Sequence, residues 1–94
     1  MEEDEGPPTP QRRDASAAHL RAAATHDRAA DLHEAAASLQ EEHAAEMTEA
    51  GAPERAARAE HLADRERQLA SDERLGADLE RRRADASRER EQLD

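Results

Sequence analysis

No Phe, Trp, Tyr, Val, Ile or Cys occurs among the 94 residues. Without aromatics and β-branched aliphatics the chain lacks the residues that favour strands, which excludes a sheet as its organising element. Without Cys it can form no disulfide, thiolate nucleophile or Cys-ligated zinc. Lys is missing too, so the 14 basic residues are all Arg and stand against 24 Asp and Glu, for a net charge of −10. That balance disfavours nucleic acid and anionic membrane surfaces as partners. No apolar run approaches the roughly 20 residues needed to span a bilayer. The opening Met1-Glu2-Glu3-Asp4-Glu5 is acidic where a secretory signal is basic, so the expected location is the cytoplasm.

What remains is helix-forming. Ala, Leu, Arg, Glu and Gln dominate, and the large apolar residues are eight Leu and two Met. The strong break is Glu49-Ala50-Gly51-Ala52-Pro53-Glu54. Gly51 can take the left-handed conformation that closes a helix, and Pro53 is pre-set for the first turn of the next. The expectation is an all-α fold of two long antiparallel helices, a coiled-coil-like helical hairpin. Helix 1 covers about 14–50, the turn 51–52 and helix 2 about 53–93. Residues 1–13, acidic and then Pro-rich, read as a disordered tail. So few large apolar residues leave a single hairpin marginal, which points to self-association into a four-helix bundle or to packing on another helical protein.

The first helix repeats by heptads: HLRAAAT from His19, HDRAADL from His26, HEAAASL from His33. With the seam positions named a and d, Ala22, Ala29, Ala36, His43 and Ala50 fall at a, and Ala18, Thr25, Leu32, Leu39 and Glu46 at d. Small residues there would allow close approach of a second helix. In helix 2, Ala56, Ala63, Ala70, Ala77 and Ala84 recur every seven residues beside Leu62 and Leu69. Across a turn at 51–52 the arms match, predicting Leu39 against Leu62 or Ala63, and Leu32 against Leu69 or Ala70. Past Gly76 the Leu positions rotate, so Gly76 is a candidate bend, with Leu75, Leu79, Ala86 and Leu93 free to form a second contact.

His19, His26 and His33 form a column on the flank of that seam. Heptad neighbours stand roughly 10.5 Å apart along a helix axis, too far to share one ion. Neither HExxH nor Glu-x-x-His occurs, so no metal or other cofactor is expected. Across the turn His19, His26 and His33 fall level with Arg83, Gly76 and Leu69, with Glu66 and Glu73 one turn either side of Leu69, Glu73 and Glu80 bracketing Gly76, and both Glu80 and Arg83 near His19. Carboxylate neighbours favour protonated imidazole, which predicts a hairpin more stable near pH 5.5 than near pH 8. Paired acids such as Glu41-Glu42 have no pocket to work in, and no phosphate-binding Gly loop is present. Arg81-Arg82-Arg83 is interleaved with Asp78, Glu80 and Asp85 at salt-bridge spacing and reads as a self-neutralising face rather than a nucleic-acid patch.

The repeated His-x-x-Ala-Ala, followed by Gly-Ala-Pro-Glu-Arg-Ala-Ala-Arg and an Arg/Glu-rich second helix, resembles small helical-hairpin proteins of high-GC actinobacteria over about residues 17–75. That resemblance implies the hairpin and no activity. The length and central Gly also resemble the WXG100 hairpins, but Glu49-Ala50-Gly51 stands where their Trp-x-Gly turn would be, and no Tyr is present for their C-terminal signal. The functional expectation is a non-catalytic helical interaction module. The alternatives are a small-ligand or metal-binding protein using the His column, and an acidic regulator that folds on a partner.

Overall fold

A computed structural model of the chain describes residues 10–93, with side chains for 14–92. Most of the tail expected over 1–13, together with Asp94, lies outside the described residues, and so does the Leu93 side chain. Two helices account for nearly all of the rest: α1, Pro10–Glu49, and α2, Pro53–Leu93. Helix α1 starts at Pro10, four residues before the expected boundary. Pro suits a first helical turn, where its missing N–H would have no partner. Asp14, where the sequence places the start of the helix, lies inside it. Helix α2 runs unbroken through Gly76, so the candidate bend is absent. The fold class is all-α, an antiparallel helical hairpin.

The turn is a Schellman closure. Gly51 has φ 74°. Its N–H donates to the Thr48 carbonyl at 3.1 Å, and the Ala52 N–H reaches back to the Met47 carbonyl at 2.8 Å. Ala52 then caps α2, its carbonyl accepting from the Ala56 N–H at 3.0 Å, with Pro53 in the first helical position. A Cβ on Gly51 would meet nothing within 4 Å, so a substitution here is opposed by the backbone alone. Gly51→Ala should therefore cost about 1 kcal/mol, with Asn milder and Val worse, because a β-branched side chain tolerates positive φ least. Urea unfolding followed by circular dichroism measures the series; equal stability across it would remove the positive-φ closure from the account.

The chain divides into two compact units. In the turn unit, residues 27–74, the buried residues are Ala30, Ala37 and Ala44 from α1 and Ala56, Ala59, Ala63 and Ala70 from α2. His33, Gln40 and Met47 flank them from α1, half-buried, as does Glu66 from α2. In the terminal unit, residues 1–26 and 75–94, Ser16 and Ala23 face Ala77, Ala84 and Ser87, with His19, His26 and Glu80 half-buried beside them. The Ser16 hydroxyl donates to the Ala84 carbonyl at 3.4 Å. A side chain of one carbon and one oxygen reaches the opposite backbone only when the helices lie very close.

That closeness corrects the expected seam. It lies one residue further along α1, on Ala23, Ala30, Ala37 and Ala44 rather than on the column containing Ala29 and Ala36, which are only half-buried. Leu32 is 72% exposed and Leu39 65%, while Leu62 and Leu69 stand at 46% and 37%. The four do not pair inside the chain. Leu side chains between the helices would hold them apart and break the contacts that close approach makes possible. Ala63 and Ala70, placed on the seam by sequence, are buried there.

Candidate functional site

Along the seam the His column meets the Glu column. In the terminal unit His19 Nδ1 lies 2.6 Å from Glu80 Oε2; in the turn unit His33 Nδ1 lies 2.6 Å from Glu66 Oε2. A carboxylate only accepts, so the facing ring nitrogen carries the proton in both pairs. The His26 ring lies over Gly76, where an added Cβ would sit 3.2 Å from it. Gly76→Ala therefore sets a helix-propensity gain of up to about 1 kcal/mol against crowding of that ring. The full gain should emerge only in a His26→Ala background. A thermal-melting double-mutant cycle tests this, and an equal effect in both backgrounds would show that the ring sets no limit at Gly76.

Glu80 is held below the ordinary carboxylate value of 4.5, chiefly by the His19 hydrogen bond. Burial pushes the other way, and Arg83, at 2.7 Å, adds to the lowering. A depressed folded-state pKa gives stability that is fully present above the unfolded pKa and is lost as pH falls through the folded value. Glu80 thus contributes undiminished at neutral pH and loses its contribution below about pH 4.5, on the acid side of the imidazole range in which the sequence placed a switch. His19→Ala should flatten part of the fall in melting temperature between pH 5 and pH 3. Identical slopes for the variant and the native chain would assign that fall to other carboxylates.

The two flanks of the seam in the turn unit differ in their apolar content, and both hold charges paired across it, the His33–Glu66 pair lying on the Leu side. On one, the charges are consumed within the chain. Arg74 reaches Glu34 at 2.7 Å and Asp31 at 3.3 Å, and Arg67 pairs with Glu41 and, at 3.0 Å, with Asp64. Glu34 first, then Asp31, raise the Arg74 pKa above its ordinary value. The other flank carries Leu32 and Leu39 from α1 and Leu62 and Leu69 from α2. Near the turn it also holds a shallow groove lined by Gln40, His43, Arg55, Arg58, Ala59 and Leu62. Residues two apart on a helix point roughly 200° apart, which is how Glu41 and His43 come to lie on opposite flanks. Among the described residues, the side chains of Glu42, Glu46, Arg55 and Arg58 make no hydrogen bond or ion pair.

Burying a Leu is worth ~2 kcal/mol and an Ala methyl ~0.8 kcal/mol. The seam therefore leaves a large apolar surface in solvent, on the Leu flank and at Leu20, Leu75 and Leu79, which are also exposed. Clustered exposed apolar side chains mark interaction sites more often than chance. The sequence is compatible with this arrangement without deciding it. The column from Ser16 through Ala23, Ala30, Ala37 and Ala44 is small throughout, whereas the Leu column is interrupted by Thr25 and Glu46.

Among the described residues no three His, Asp or Glu side chains gather closely enough to hold a metal ion. No helix among them is long and apolar enough to cross a membrane. Comparison with known protein families, with curated proteins and with solved structures gives no match to this chain.

Proposed function

We infer that this protein is a non-catalytic helical interaction module that docks another helical surface through the flank bearing Leu32, Leu39, Leu62 and Leu69. One observation carries the reading: Leu32, Leu39, Leu62 and Leu69, the largest aliphatic residues of the turn unit together with Met47, lie outside a seam built from Ala, on the flank that also carries Arg55 and Arg58, whose exposed side chains bond to nothing among the described residues. Helices satisfy their own backbone groups, so two helical surfaces need only complementary side chains to associate. The hairpin supplies a preorganised face, which lowers the ordering cost of binding.

Site-specific photo-cross-linking in the cells that make the protein tests this. A photoreactive residue at Leu39 or Leu62 should yield discrete adducts, and one at the exposed Ser71, which the Leu flank does not include, should not. No adduct at either Leu position would sink the interaction reading. The adduct's mass identifies the class of partner: twice the chain for a second copy, any other value for a different protein.

A further inference from the structure

We propose that the partner is a second copy of this chain, stacked Leu flank on Leu flank with both turns at the same end, about a twofold axis running along the helices of the turn unit. The proposal rests on the interaction reading above and goes further in naming the occupant and its orientation.

Register and charge together select this arrangement. The His33–Glu66 and Glu41–Arg67 pairs set which residues of α1 and α2 are level. On that register Leu39 falls within about half a turn of Leu62, and Leu32 within about half a turn of Leu69. A twofold axis along the helices places α1 of one copy over α2 of the other and preserves those levels. Leu39 then faces the second copy's Leu62, and Leu32 its Leu69. The pairing that Ala excludes within the chain is made between chains.

The rim charges fall into place under the same operation. Glu46, with Glu42 on the rim, borders the Leu flank on α1 near the turn, and Arg55 and Arg58 border it on α2. All four are exposed, and among the described residues none has a partner. Stacked with the turns at one end, Glu46 of each copy enters the groove formed at the other copy's Arg55 and Arg58. Reversing one copy end for end would lay α1 over α1, carry Glu46 away from that groove and leave all of these charges unmatched. Two such clusters, related by the symmetry, oppose the general repulsion between chains of net charge −10.

The absence of native Cys makes the test direct. A Leu39→Cys chain mixed with a Leu62→Cys chain should give a mixed disulfide-linked dimer on mild oxidation, and Leu39→Cys alone should give little. Preferential linking of Leu39→Cys to itself would overturn the orientation. In sedimentation equilibrium the native chain should show twice the chain mass. Glu46→Arg or Arg58→Glu alone should weaken association about tenfold, since each turns two attractions per dimer into repulsions. The two combined in one chain should recover most of that loss. A native chain of single mass at all accessible concentrations, or a combined variant weaker than either single one, overturns the proposal. In-cell adducts of another mass would overturn the self-pairing while leaving the interaction reading intact.

Discussion

Ala37→Asp should unpair the helices of the turn unit, at a cost of more than about 3 kcal/mol. Ala37 is 2% exposed, in a seam whose other buried residues in this unit are all Ala. A carboxylate there loses its water, and Arg67 and Arg74, the donors level with it, already bond Glu41 and Glu34. Ala37→Leu isolates the steric part. Leu is nearly as good a helix former as Ala and far more hydrophobic, yet it should cost about 1–3 kcal/mol, because helices held this close have no space for three more carbons. Ala35→Asp, exposed on the same helix, corrects for helix propensity. Leu32→Ala, measured in dilute solution where copies are apart, should change stability by less than about 0.5 kcal/mol. The readout is urea unfolding followed by circular dichroism. A harmless Ala37→Leu together with a Leu32→Ala costing about 2 kcal/mol would return the seam to the Leu column.

Replacing Leu32, Leu39, Leu62 and Leu69 together by Gln should abolish association and leave the hairpin folded. Leu32 and Leu39 meet mainly solvent within the chain, Leu62 and Leu69 keep 46% and 37% of their surface in it, and Gln is a comparable helix former. At low concentration the variant should keep its helicity and most of its melting temperature. The native chain should melt higher as its concentration rises, because assembly stabilises only the folded state. The variant should melt at one temperature at every concentration. If it were unfolded even when dilute, the four Leu would belong to the core of the hairpin. A native melting temperature independent of concentration would remove self-association.

Much of the architecture was legible in the chain. Gly51 and Pro53 name the turn because positive φ and a missing N–H leave few other places for them. The five Ala from Ala56 to Ala84 mark the inner face of α2 because nothing else recurs there without interruption. The level of His19 and His33 with Glu80 and Glu66 follows from an antiparallel register once the turn is placed. Composition alone was enough to set aside sheets, disulfides and membrane-spanning helices.

What the sequence could not decide was which of two adjacent columns on α1 turns inward. Ala22 and Ala23, Ala29 and Ala30, and Ala36 and Ala37 stand side by side, so either column offers small residues to a partner helix. The choice rests on about 100° of rotation, and hydrophobicity favours the column next to Leu32 and Leu39. The tertiary structure reverses that preference because the distance between helices is a property of the pair. With Ala on the inner face of α2, close approach buries Ala against Ala, brings the Ser16 hydroxyl to the Ala84 carbonyl, and sets His19 and His33 against their carboxylates. Leu between the helices would forfeit all of these at once, so the larger side chains turn outward and become available for binding.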